Sequence, residues 1–329
     1  MTVPPGPPAP PGSHVRREWV AEHLVDTAAA ADLIGTQFPH LSGAPVRLLA
    51  EGWDNTVHVV DGAEEGEAPW AFRFPRRAVA VPGVVREIAL LPRLAPLLPL
   101  QIPVPELVGT PTAGYPWPFF GARLLPGTEL AEANLADVRR SDLGSGLGQF
   151  LHALHDAVLA QTLRAGLPMD PMRRALPARR APMARERLNR IRSRGDRLTE
   201  VLADGRIDAL LDDSIGLPPS SGPPVLVHGD LHLRHVLVDG AGAAAGVIDW
   251  GDVCLADASV DLSIAYTAFE GASRAALLDA YGWPVDDERE VRARVLAVSL
   301  CAALADYADV DNRPALLAES LAGLRRAVA

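Results

Sequence analysis

The chain has 329 residues, 48% of them hydrophobic and 22% charged, with a formal net charge of −10. That size and apolar content suit two lobes, each with its own core. The acidic balance argues against nonspecific attachment to nucleic acid or an anionic membrane and favours a cationic partner.

All 31 basic residues are Arg, so chemistry that commonly uses Lys falls to Arg here. Cys254 and Cys301 have no C-x-x-C spacing and are too few for a disulfide framework, which points to a reducing cytoplasm. Residues 1–17 have no apolar run behind a basic start and read as a Pro-rich disordered tail. Prolines and Arg93 interrupt the apolar stretch "IALLPRLAPLLPLQIPVPELV", which argues against a membrane span.

"REWVAEHLVDTAAAADLIGTQF" carries apolar residues at helical spacing and predicts a first helix. "VRLLAEGWDNTVHVVDG" predicts two short strands joined by a polar turn at Glu51 to Asn55, and "PWAFRFPRR" a third strand stopped by Pro75. "VVREIALLPRL" predicts a helix that Pro92 kinks or ends, and the Pro- and Gly-punctuated stretch after it two more strands finishing near Arg123. From Thr128 onward the periodicity is helical, except that residues 225–250 read as strand, polar loop, strand, Gly-Ala turn and strand. The expectation is an α+β, two-lobed chain. A small antiparallel-sheet lobe at 18–122 precedes a larger helical lobe at 123–329, which carries a β-hairpin facing a cleft.

The island contains "VLVHGDLHLRHVLVDG" and "GVIDWGD". Asp230 follows the first of its strands and Asp249 ends the last, so pairing of the strands as a hairpin would bring both carboxylates to one end. Two carboxylates at a strand end suit phosphoryl transfer from a nucleotide, one orienting the attacking hydroxyl and the other holding Mg²⁺. His228, His232 and His235 with the same aspartates also permit a metal-dependent hydrolase, although their spacing departs from H-E-x-x-H. Taken singly, His228 and His232 read as loop-fixing hydrogen-bond partners. His152 and His155 read as ordinary helix positions.

Together, "HGDLHLRHVLVD", "VIDWGD", "DASVDL", "EGWDNTV", "FRFPRR" and "REIALLPRL" resemble the aminoglycoside phosphotransferase family, antibiotic kinases with a protein-kinase-like fold, over about residues 45–270. The resemblance implies that Asp230 is the catalytic aspartate, Asp249 the metal-binding aspartate, and Asp257 and Asp261 a brace for the catalytic loop, with helix capping as their alternative. It places the turn "EGWDNT", with Asn55 and Thr56, over the nucleotide phosphates. Arg73 stands where the family has a phosphate-contacting Lys, and Glu87 is its ion-pair partner; Arg76 and Arg77 are close enough in sequence to be confused with Arg73. His235 stands where most members carry Asn as second metal ligand, and a histidine in this slot resembles the macrolide phosphotransferase branch. The implied cofactors are Mg²⁺ and ATP or GTP. The implied acceptor is a hydroxyl of a small molecule, an aminoglycoside or macrolide, with antibiotic resistance as the role. Acidic residues of the later helices, including Glu270, Asp286, Asp306 and Asp309, suit a cationic acceptor. A monomer or homodimer, and a nucleotide-binding homologue with weak catalysis, both fit the sequence.

Overall fold

The computed structural model describes residues 21–52, 54–62, 67–194, 203 and 205–329. The predicted tail, 1–17, lies outside them. The chain divides into two compact units, one of residues 1–88 and 104–124 and the other of 89–103 and 125–329. The segment 89–103, which the sequence reading assigns to the first lobe, thus groups with the second unit, where Leu90, Leu91, Leu94 and Ile102 enter the main core.

The first unit is built on a five-stranded antiparallel sheet in the order β1-β2-β3-β5-β4. Its strands are β1 (Val46–Glu51), β2 (Asn55–Val60), β3 (Trp70–Pro75), β4 (Leu107–Gly109) and β5 (Phe119–Arg123). Helix α1 covers one face and spans Thr27–Gln37; of the stretch predicted helical from residue 17, 21–26 are not helical and 17–20 lie outside the described residues. Asp26 decides the start: its carboxylate accepts the backbone N–H of Ala29 at 2.8 Å and caps the first turn. Beneath α1, Phe72, Phe74 and Phe119 form an aromatic core, with Phe74 stacked on Phe119 at 4.6 Å. Helix α2 (Val81–Leu94) passes through Pro92 and ends two residues later, so the proline lies in its last turn.

His58 on β2 is fully buried in this unit, and neither ring nitrogen has a hydrogen-bond partner among the described residues. Burial lowers its pKa below the usual histidine value, opposed in part by Asp26. A histidine held neutral in the fold and free to protonate in the unfolded chain contributes stability above its unfolded pKa of about 6.5, and loses it as pH falls toward the folded value. His58→Leu is expected to raise unfolding stability at pH 7 by about 1 kcal/mol, by removing an unsatisfied buried polar group. It should also flatten the loss of stability between pH 7 and 5. Thermal melts across that range test this; a less stable variant with an unchanged acid slope contradicts it.

The second unit contains α3 (Ser141–Leu154), α4 (Ala157–Leu163), α5 (Pro177–Arg192), α6 (Arg206–Ser214), α7 (Ser259–Thr267), α8 (Gly271–Tyr281), α9 (Asp287–Val310) and α10 (Pro314–Ala327). Residues 141–160, which lie within the helical periodicity after Thr128, form two helices rather than one, because Asp156 accepts the N–H of Leu159 and starts α4 afresh. Gly144 and Gly148, four apart on one face of α3, admit the backbone of α8: a Cβ at Gly148 would lie 2.3 Å from the Leu277 carbonyl oxygen. This close approach carries the end of α3 to Tyr281.

The β island is arranged differently from the simple hairpin expected. β8 (Val236–Val238) and β9 (Ala244–Val247) do pair antiparallel, with β6 (Thr128–Glu129) on the other side of β8. β7 (Val225–Val227) instead pairs with β10 (Cys254–Ala256), a strand the sequence reading did not anticipate. The two aspartates therefore hang from two separate small sheets. Among the described residues, no helix is long and apolar enough to cross a membrane.

Candidate active site

Asp230 lies in the turn after β7. Gly229 before it has φ of +90°, and a Cβ there would sit 2.3 Å from the Asp252 carbonyl oxygen, so only glycine lets this turn press against the segment after Asp249. Asp249 follows β9 and is itself left-handed, with φ of 66°. Such a backbone costs roughly 1–2 kcal/mol in a residue with a Cβ and recurs where function requires it.

Hydrogen bonds join the two aspartate segments through His228. Its Nδ1 accepts the N–H of Asp230 at 3.2 Å, and its Nε2–H donates to the Ile248 carbonyl at 3.0 Å. The ring is thus a neutral tautomer with both nitrogens engaged, and burial lowers its pKa. Asp261, fully buried on α7, braces the same turn by accepting the N–H groups of His228 at 2.7 Å and Gly229 at 3.0 Å. His155 is more than an ordinary helix position. It is buried at the end of α3, where Nε2 meets Asp261 Oδ2 at 3.3 Å and Nδ1 meets the Tyr281 hydroxyl at 3.0 Å. Asp257 makes its contacts elsewhere, accepting from Ser220 Oγ at 2.6 Å and the N–H of Ser259 at 2.9 Å, with Arg289 at 3.5 Å.

His235 faces both aspartates. Its Nδ1 lies 2.8 Å from the Asp230 carbonyl oxygen, which can only accept, so Nδ1 carries the proton. Its Nε2 lies 3.4 Å from Asp249 Oδ2. An imidazole nitrogen and a carboxylate oxygen are a donor set that fits a divalent cation. Among the described residues, Asp230, His232 and His235 also place ligand atoms within 4.8 Å of one another. The hydrogen bonds of His232 count against a three-ligand site. Its Nδ1 accepts the N–H of Arg234 at 3.3 Å, leaving the proton on Nε2, which faces Asp230 Oδ2 at 3.6 Å. Burial and the neighbouring His235 bring the His232 pKa down to about 3, so the ring is neutral at pH 7.

Burial would raise the Asp230 pKa, but Arg174 together with His232 and His235 outweighs it and the carboxyl is lowered to about 2. One guanidinium nitrogen of Arg174 donates to Asp230 Oδ1 at 3.0 Å and to Asp252 Oδ2 at 2.8 Å. Neither Arg174 nor Asp252 is a site residue in the sequence reading. Asp252 is visible as the last residue of "VIDWGD", whereas "MDPMRRAL" around Arg174 carries no recognisable pattern.

In the first unit, Arg73 Nη1 lies 3.4 Å from Glu87 Oε1, and Glu87 is almost fully buried. The structure separates the three neighbouring arginines. Arg76 donates to the Gly52 carbonyl and pairs with Glu51 at 2.9 Å, and Arg77 pairs with Asp54 at 2.9 Å, so these two hold the β1–β2 turn. None of the three is simply a solvated charge. Asn55 begins β2 opposite Pro75, and Thr56 is buried opposite Phe74. The acidic residues of the later helices are engaged locally: Glu270 and Asp286 cap α8 and α9, and Asp306 and Asp309 pair with Arg194.

A sequence model of the phosphotransferase enzyme family matches residues 45–319. The chain belongs to this family. Over 56 residues, this family member is 39% identical to the uncharacterized protein YcbJ of Bacillus subtilis (strain 168), a match that spans 17% of the chain and 18% of that relative's length. Its fold matches the GDP and kanamycin complex of APH(2")-IIia, with a TM-score of 0.63 and 23% identity over 91% of this chain and 97% of the other. The macrolide 2'-phosphotransferase MphH of Brachybacterium faecium matches with a TM-score of 0.56 and 24% identity over 90% and 97% of the two chains. Spectinomycin phosphotransferase APH(9)-Ia, in complex with ADP and spectinomycin, matches at 0.61 and 14% identity over 92% and 94%. At these identities the likeness establishes a shared, kinase-like fold.

Proposed function

We propose that this family member transfers the γ-phosphate of ATP or GTP to a hydroxyl of a small, antibiotic-like acceptor, an aminoglycoside or a macrolide. The observation that carries this reading is the convergence of Asp230, His235 and Asp249. It sets an ionised carboxylate beside an imidazole–carboxylate pair whose donor chemistry suits a cation, with the imidazole bonded to the backbone of Asp230. Asp230 orients the acceptor hydroxyl and takes its proton. His235 and Asp249 would hold the divalent cation, Mg²⁺, which when bound neutralises charge on the phosphate oxygens. Arg73, steadied by Glu87, offers a planar fork of donors to phosphate, and the turn carrying Asn55 and Thr56 covers it. The GDP, ADP, kanamycin and spectinomycin named for the structural relatives support a nucleotide donor and an antibiotic acceptor. Resistance is the role we assign on that basis.

Purified protein, Mg²⁺, ATP or GTP, and a panel of aminoglycosides and macrolides test the reading by mass gain of the acceptor. Phosphorylation of at least one member is the expected result. Nucleotide-dependent thermal stabilisation without phosphorylation of any acceptor would replace it with a binding protein. Tightly bound zinc in the purified protein would favour the hydrolase.

A further inference from the structure

Arg174 has no counterpart among the motif residues, yet among the described residues it makes the closest charged contact to the proposed base. The loop that carries it is fastened to β10 beside Asp252. Asp170 donates its N–H to the Leu255 carbonyl at 2.9 Å, and Leu255 returns its own N–H to Pro168 at 2.9 Å. The Asp170 carboxylate then accepts the N–H of Arg174 at 2.8 Å and of Ala175 at 3.0 Å. Asp170 and Arg173 are both left-handed, with φ of 25° and 49°, so the turn follows one tightly specified path. The guanidinium is consequently delivered by a pinned backbone, and its side chain is only 11% exposed.

The pattern at Asp230 is one-sided. Arg174 holds Oδ1, while among the described residues Oδ2 meets only the His232 Nε2–H at 3.6 Å, beyond hydrogen-bond length. We infer that Arg174 is a positioning residue for the transfer reaction: it clamps Oδ1 of Asp230 to Asp252 and leaves Oδ2 as the oxygen that receives the acceptor's proton. The inference rests on the phosphotransferase reading above. In the step it serves, the acceptor O–H proton passes to Oδ2 and the hydroxyl oxygen forms a bond to the γ-phosphorus. The bond from that phosphorus to the bridging oxygen breaks, and the nucleoside diphosphate leaves with the electron pair. A carboxylate free to rotate would present either oxygen, or neither, at hydrogen-bond distance. A mismatch of about 1 Å at such a contact lowers rate on the order of a hundredfold. Asp252 is the second anchor, and without it the guanidinium has one carboxylate and more freedom.

The test uses the full chain, Mg²⁺, the preferred nucleotide and an acceptor that the wild type phosphorylates. Arg174→Gln is expected to lower kcat by about 10- to 100-fold with the nucleotide KM within about twofold of wild type. Arg174→Lys should keep a kcat at least about threefold above that of Arg174→Gln but below wild type, because the charge is restored but not the fork. Asp252→Asn should lower kcat less than Arg174→Gln, and the double variant should be no worse than Arg174→Gln alone, since both act through one clamp. Circular dichroism and thermal melts accompany each variant; if Arg174→Gln does not fold, Arg174→Lys and Asp252→Asn carry the comparison. A folded Arg174→Gln at wild-type kcat overturns the positioning role, as do losses confined to KM, a Lys variant no better than Gln, or strictly additive losses. If Gln is unfolded, wild-type kcat in both remaining variants overturns it. No phosphorylation by the wild type overturns the phosphotransferase reading itself, and this inference with it.

Discussion

Asp230→Asn is expected to lower phosphoryl transfer by about a thousandfold, in the middle of the range for loss of a positioned acid–base group. Folding should survive: Asn keeps the shape, and Arg174 retains Asp252 as a carboxylate partner. Nucleotide binding should be nearly unchanged, because Asp230 acts on the acceptor hydroxyl. Asp249→Ala is expected to remove turnover as completely but for another reason. It takes away the carboxylate that faces His235 Nε2, so thermal stabilisation by ATP or GTP should lose its dependence on Mg²⁺ in this variant and keep it in Asp230→Asn. Steady-state kinetics with melts in nucleotide, with and without Mg²⁺, separate the two roles. Near-normal turnover in either variant is incompatible with the proposed chemistry, and so is an identical metal response in both.

The second large effect concerns stability. Asp261→Ala is expected to destabilise the protein by about 3 kcal/mol or more, because it strands the buried N–H groups of His228 and Gly229 and the Nε2–H of His155 without an acceptor. For a unit of this size that corresponds to a fall in melting temperature on the order of 10 °C. Activity should fall with it even below the melting point, since the same N–H groups hold the turn that aims Asp230. Urea unfolding and kinetics well below the transition test both parts. A loss under about 1 kcal/mol would mean that Gly229 and the β7–β10 pairing fix the turn without Asp261.

Much of this site is legible in the chain because it is local. "HGD" and "IDWGD" each follow a short run of buried apolar residues, and a polar residue at a strand end has few places to point. Asp230, His235 and Asp249 emerge from spacing and residue type together with a family resemblance, and His228 as a loop-fixing neutral ring follows from the same stretch. The Arg73–Glu87 pair is readable only through the family resemblance, which matches a strand residue with a residue on the following helix. Helix boundaries were less accessible: Asp26 and Asp156 restart or delay helices through single capping hydrogen bonds that periodicity does not register.

Non-local partnership was not legible. β7 pairs with β10 rather than with its sequence neighbour, since burial of "VLV" is satisfied equally well by either strand and only the tertiary arrangement chooses. Arg174, His155 and Asp252 became part of the site through that choice. Arg174 reaches Asp230 across 56 positions of chain and His155 reaches Asp261 across 106. A charge or an imidazole has no sequence signature for a partner so far away; its role is set by which buried carboxylate the fold brings within about 3 Å. The chemistry of the site, two carboxylates and an imidazole at strand ends, was therefore written in short-range sequence. Which oxygen of Asp230 is held, by what, and how rigidly were matters for the packing of distant segments.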